Sequence, residues 1–361
     1  MNMTSKTSID IKIEKKEQSR LNTSIFENLV FGQVFSDHMF IADYKNNQWE
    51  RPKIIPYQAL PYEPSAKVFH YGQAIFEGMK AYKDTKGQVF LFRPEENFKR
   101  MNNSAKRLGM PLIPKDYFIE GIKELVKLDK DWIPTGPGES LYIRPVYIAT
   151  ENAVAASPSD SYRFMIITSP AGKYYSGDVK VKIESKYSRA CDGGVGYAKA
   201  AGNYAAQFYP THLAKEEGFQ QIIWTDAKEH KYLEEAGTMN IFFRIGDKLL
   251  TAPTIPESTR ILPGVTRKSI IQLAQDKDID IEVRPIEISE VIQAAKNNEL
   301  KEIFGAGTAA TVLPIVGVKY KDFYTDLPQI GNSYADFFKK TLMDIQYNRS
   351  DDPYGWRFQV V

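Results

Sequence analysis

The 361 residues exceed what one ordinary core of roughly 100 to 200 residues organises, so the sequence predicts two domains. With 43% hydrophobic, 12% aromatic and 25% charged residues there is ample material for buried cores, which excludes disorder on a large scale. Lys and Arg total 47 against 45 Asp and Glu, a net charge of +2 without a long basic run, so neither nucleic acid nor an anionic membrane surface is indicated as a partner.

Cys191 is the single cysteine, which rules out an internal disulfide and a multi-thiolate zinc site and fits a reducing cytoplasm. Beside Gly193 and Gly194 it reads as incidental rather than nucleophilic, and no metal is expected. Residues 1–22 mix Lys with Asp10, Glu14 and Glu17 and hold no apolar run, so neither a signal or transit peptide nor a membrane helix is indicated. A cytoplasmic location is the expectation.

Ile9, Ile11 and Ile13 alternate with polar residues and predict an edge strand. Over 94–109, Phe98, Met101, Ala105 and Leu108 recur at helical spacing, Pro94 suits a first turn and Gly109 a C-terminal cap. Residues 116–130 repeat that pattern through Phe118, Ile122, Leu125 and Val126. The period then changes: 141–149 and 163–168 are dense in Val, Ile, Tyr and Phe, as strands are. Residues 170–178 hold Gly172 and Gly177 among polar residues and mark the expected connection between domains. The division that follows is a smaller N-terminal domain over 1–170, a loop over 171–178 and a larger C-terminal domain over 179–361. Beyond the loop, 179–184, 221–225, 240–245 and 279–283 read as strands, and 203–217, 266–275 and 333–347 as helices. Strands and helices mix without regular alternation and without internal repeats, which favours an α+β fold over a doubly wound sheet.

Lys199 lies in the run Gly193-Gly194-Val195-Gly196-Tyr197-Ala198-Lys199-Ala200-Ala201-Gly202-Asn203-Tyr204, whose small residues let a planar ring approach the backbone. Local composition alone leaves a surface lysine in a turn equally open. Five further strings accompany it: Phe76-Glu77-Gly78-Met79-Lys80-Ala81, Tyr142-Ile143-Arg144-Pro145, Glu235-Ala236-Gly237-Thr238-Met239-Asn240, Leu262-Pro263-Gly264-Val265-Thr266-Arg267 and Gly307-Thr308-Ala309-Ala310. Together with 189–204, in order between about Phe31 and Pro314, they resemble the fold-type IV pyridoxal-phosphate enzymes, and among these most closely the branched-chain aminotransferases.

The resemblance implies a two-domain α+β fold like that of D-amino-acid aminotransferase, with the active site at the domain interface and pyridoxal 5′-phosphate as cofactor. It implies reversible, ping-pong amino transfer from leucine, isoleucine or valine to 2-oxoglutarate. Lys199 is implied as the residue that bonds the cofactor and later shuttles a proton. Glu235, in preference to its neighbour Glu234, is implied for the pyridine nitrogen, and Tyr204 for the phenolic oxygen. Arg100 is the implied phosphate ligand, with Arg93 its competitor; Gly264, Val265 and Thr266 at a helix start, Thr308, and Arg189 from further back support the same group. The amides of Thr308 and Ala309 are implied for the substrate carboxylate. Phe31, Tyr71, Phe76, Tyr142, Tyr174 and Thr238, the last also on the cofactor side, are implied around the substrate side chain, with Arg144 answering glutamate's second carboxylate. Tyr71 matches a position that reaches into the neighbouring subunit, so a homodimer or a higher assembly is implied.

Some eukaryotic relatives carry a redox-active Cys-x-x-Cys where this chain reads Ala310-Thr311-Val312-Leu313, so thiol switching of that kind is not expected. D-Amino-acid aminotransferases and aminodeoxychorismate lyases resemble the same scaffold and stay open as alternatives, although Arg144 and the 237–240 string favour branched-chain substrates. A non-catalytic protein that keeps the pocket is the reading from another class. Lys199, Tyr204 and Glu235 together speak against it, because binding alone requires neither a base nor an electron sink.

Overall fold

The computed structural model describes residues 9–172 and 177–361. The chain forms two units, one of Met1–Tyr174 with Ile345–Val361 and one of Tyr175–Asp344. The expected C-terminal domain therefore ends too late. Its last stretch belongs to the first unit, because Arg357–Gln359 pairs antiparallel with Val89–Phe92. The expected linker also begins too early, since Leu141 pairs with Pro170 and Ser140 with Ala171 in one continuous ladder.

In the first unit a ten-stranded sheet runs in the order Lys12–Ile13, Lys53–Pro56, His38–Lys45, Tyr162–Ala171, Ser140–Ala149, Met79–Lys83, Val89–Phe92 and Arg357–Gln359, with two short strands off this path. The edge strand expected near the start is there, reduced to Lys12–Ile13 beside Lys53–Ile54. The predicted helices appear as Pro94–Arg107 and Lys115–Leu128. Their apolar faces carry Met101, Ala105, Phe118, Ile122 and Leu125 into one core with Phe40, Tyr147 and Phe164 from the sheet. Gly121 permits this approach: a Cβ there would lie 2.8 Å from the Phe40 ring. A mid-helix glycine costs about 1 kcal/mol against alanine, less than the roughly 1.5–3 kcal/mol each buried large apolar side chain contributes.

The second unit is built on an eleven-stranded sheet ordered Ile281–Val283, Lys248–Thr251, Met239–Ile245, Tyr232–Ala236, Gln221–Thr225, Lys180–Ile183, Gly317–Tyr320 and Phe323–Asp326. Off that path Leu300–Gly307 pairs with Met239–Ile245 and with Thr311–Ile315. Lys180–Ile183 is parallel to both neighbours while most other pairs are antiparallel, in keeping with a mixed α+β architecture. The helix predicted over 203–217 is broken into Gly202–Ala205 and Phe208–Glu216. That over 266–275 runs Val265–Asp276.

Candidate active site

The loop that carries Lys199 is held from below. Asn203 donates through Nδ2 to the carbonyls of Val195 and Ala198, both at 2.9 Å. Arg189 Nη1 donates to the Arg260 carbonyl at 2.9 Å and to that of Gly196 at 3.3 Å. Gly196 is obligatory here, since a Cβ would fall 2.2 Å from the Arg260 carbonyl oxygen. On this platform Lys199, half-buried, donates from Nζ to the Tyr204 hydroxyl at 2.7 Å. The five-residue spacing seen in sequence thus becomes a direct contact.

Glu235 is 4% exposed on the strand Tyr232–Ala236. Arg189 Nε stands 2.7 Å from its Oε1 as an ion pair, although that N–H does not point along a hydrogen bond. Its Oε2 accepts from Asn240 Nδ2 and from the Leu262 N–H, each at 3.3 Å. A buried carboxylate needs such a counter-charge. Arg189, expected to support the phosphate side from further back, contacts Glu235 and the carbonyls of Gly196 and Arg260. Glu234, one residue away on the strand, pairs with Arg260. Burial pushes its carboxyl up to about 7 against the pull of that arginine.

Asn240 was quoted in sequence without a role. It sits opposite Glu235 in the antiparallel ladder, donates to Glu235 and to the Leu262 carbonyl at 2.9 Å, and packs on Gly264, where a Cβ would fall 1.9 Å from its Oδ1. Gly264 is the N-cap of Val265–Asp276, so the carboxylate and the helix start are fastened by one side chain. Val265 and Thr266 are buried there, and the first intrahelical bond runs from Lys268 N–H to the Gly264 carbonyl, leaving the preceding amides for a ligand. Thr308-Ala309-Ala310 form the half-buried turn between Leu300–Gly307 and Thr311–Ile315. The turn at Gly237-Thr238 adjoins it: the Thr238 carbonyl would lie 3.6 Å from a Cβ at Gly307.

The first unit gathers a second group. Phe31 meets Tyr142 edge-on with ring centres 4.7 Å apart. Arg144 lies over Phe76 at 4.7 Å and over Tyr142 at 5.2 Å, and donates from Nη2 to the Tyr142 hydroxyl at 2.8 Å. Among the described residues it has no carboxylate partner, and its Nε is buried without a hydrogen bond. Gly78 makes room, since a Cβ there would lie 2.3 Å from the Tyr142 hydroxyl oxygen.

Arg100 is bound up nearby. Its Nε and Nη2 grip the two oxygens of fully buried Glu77 at 2.7 and 2.8 Å, and Asn97 donates to the same carboxylate at 2.8 Å. The fork expected to face a phosphate is thus largely committed to the segment after Phe76. Arg93 stacks on Trp356 at 5.0 Å. Tyr71, 45% exposed at the end of Lys67–Tyr71, donates its hydroxyl to the Val154 carbonyl. Tyr174 lies outside the described residues. No described helix is long and apolar enough to cross a membrane.

Comparison with known proteins bears on this geometry. The family model for amino-transferase class IV matches residues 74–318. A probable branched-chain-amino-acid aminotransferase of Staphylococcus epidermidis is 45% identical over 358 residues, covering 97% of this chain and 98% of that protein. Branched-chain-amino-acid transaminase 1 of Bacillus subtilis is 45% identical over 340 residues, 92% and 94% of the two chains. Among solved structures, the branched-chain aminotransferase of Thermoproteus uzoniensis with norvaline superposes with a TM-score of 0.72 at 22% identity, over 89% of this chain and all of that one (100%). At that identity the likeness speaks for the fold.

Proposed function

The chain belongs to the class IV aminotransferases, and from that premise we propose that it exchanges the amino group of leucine, isoleucine or valine with 2-oxoglutarate. The observation that carries the substrate reading is Arg144, a cation without a carboxylate partner among the described residues, set over Phe76 and Tyr142. Aromatic walls favour a branched aliphatic side chain by roughly 0.8 kcal/mol per buried CH₂, and the guanidinium answers glutamate's side-chain carboxylate. The names of the Staphylococcus and Bacillus relatives agree with this reading.

The donor set fits pyridoxal 5′-phosphate: an amine against a phenol, a carboxylate paired with Arg189, and a helix start kept bare by Gly264. That cofactor, when bound, supplies the electron sink that acidifies the substrate Cα–H. Lys199 would hold it covalently, and its amine would serve as the base that moves a proton at the substrate Cα. Tyr204 holds the phenolic oxygen and keeps the Lys199 amine directed. Glu235 keeps a proton at the ring nitrogen. Gly264, Val265 and Thr266 hold the phosphate, with Thr308 and any donors Arg100 has left beyond its Glu77 contacts. The amides of Thr308 and Ala309 orient the substrate carboxylate, and Thr238 borders the side chain.

The exposed Tyr71 supports a homodimer in which that hydroxyl serves the neighbouring subunit's site, in the cytoplasm. Single half-reactions with leucine, isoleucine, valine, alanine and glutamate, followed by absorbance, test the reading. Branched substrates and glutamate should react at comparable rates and alanine far more slowly; alanine reacting as fast as leucine would overturn it.

A further inference from the structure

The helix Val265–Asp276 opens without a side-chain cap and without an acidic residue in its first turn, although a helix start favours negative charge. Its third residue is instead a cation. Arg267 is 4% exposed, and its guanidinium meets only neutral acceptors: Nη2 donates to the Ala252 carbonyl at 2.6 Å and Nε to the Thr251 hydroxyl at 3.4 Å. Among the described residues no carboxylate forms an ion pair with it, and Glu257 acts on it only at longer range. Burial pulls its guanidinium down to about 10. A buried cation with no counter-ion is costly, and the positive end of the helix dipole adds to the cost. An anion at the helix start would offset both costs by its attraction to the guanidinium and to the helix start. The backbone is kept clear for one, since a Cβ at Gly264 would collide with Asn240.

We propose that Arg267 sets the preference of this site for a doubly charged phosphate, acting through its buried charge on the Gly264–Thr266 helix start rather than by touching the ligand. The inference rests on the reading of that helix start as the phosphate site. It makes the free protein pay for a charge that only the ligand compensates, which distinguishes it from a structural arginine.

The test uses full-length apoprotein of the wild type, Arg267→Gln and Arg267→Lys, titrated with pyridoxal 5′-phosphate and with pyridoxal, which lacks the phosphate. Arg267→Gln is expected to bind pyridoxal 5′-phosphate at least about tenfold more weakly, equal to about 1.4 kcal/mol, and pyridoxal within about twofold of wild type; Arg267→Lys should stay close to wild type on both. Thermal unfolding gives the second readout. Apo Arg267→Gln should melt no lower than the wild-type apoprotein, and inorganic phosphate should raise its midpoint less. Equal losses with both ligands, no loss, a lower apo midpoint, or an Arg267→Gln chain that does not fold would each overturn the proposal. A wild-type apoprotein that binds pyridoxal as tightly as pyridoxal 5′-phosphate would overturn the phosphate site itself.

Discussion

Replacing Arg144 by Met removes the charge and keeps most of the volume. Two losses follow. The first is common to every substrate: the one guanidinium over Phe76 and Tyr142 at 4.7 and 5.2 Å disappears, as does the bond to the Tyr142 hydroxyl at 2.8 Å. At roughly 0.5–1 kcal/mol for the cation–π contacts, this lowers kcat/KM by about two- to fivefold with leucine and glutamate alike. The second falls on glutamate alone, whose side-chain carboxylate loses a charge-assisted contact of about 1.5–3 kcal/mol. The ratio of kcat/KM for leucine to that for glutamate should therefore rise by about 10- to 150-fold, and the ratio cancels the shared loss. Steady-state kinetics on both amino donors at saturating cofactor read it directly. Arg144→Lys should recover part of the glutamate activity. An unchanged ratio, with both substrates falling together, would refute the assignment and leave Arg144 as a support for the aromatic rings.

Lys199→Ala should abolish turnover, and borohydride reduction of the holoenzyme should fix the cofactor on the peptide containing Lys199; label on Lys80, a buried amine pulled down to about 8, would name the rival. Glu234 is raised above its unfolded value by burial, so the folded protein binds the proton more tightly and this group costs stability as pH rises from about 4.5 to about 7. Glu234→Gln should therefore flatten the decline in melting temperature between pH 5 and pH 7.5, a difference on the order of 3 kcal/mol at most, and an unchanged profile would refute that cost. If Tyr71 serves the neighbouring subunit, inactive Tyr71→Ala and Lys199→Ala chains refolded together should regain activity, because one site of each mixed dimer receives both intact residues. Failure despite demonstrated subunit exchange would place Tyr71 in its own chain's site.

The helices at Pro94–Arg107 and Lys115–Leu128 were legible because each buries one apolar stripe, and the first also carries Pro94 at its start. Strands such as Met79–Lys83 and Val89–Phe92 were not, being buried on both faces and so lacking alternation. The Lys199–Tyr204 pair follows from spacing once a resemblance names it. The partners of Glu235 do not, since Arg189 and Asn240 reach it from separate strands and loops. A signal for Asn240 was nevertheless present: asparagine is depleted in strands, and one at the head of the apolar run 240–245 asks for a buried polar partner. Glu77, held among Phe76, Gly78 and Met79, posed the same question, and its answer, Arg100, changed the expected use of that arginine.

The ladder between Val89–Phe92 and Arg357–Gln359 also orders events in time. On the ribosome the first unit is begun first and finished last, because its closing strand emerges only after the second, sequence-continuous unit has been made. Until then Val89–Phe92, four apolar residues, is an open edge able to recruit strands from other chains. A chain without Arg357–Gln359 would therefore keep that edge open after synthesis and lose solubility, although none of the groups assigned to the substrate lies in that strand.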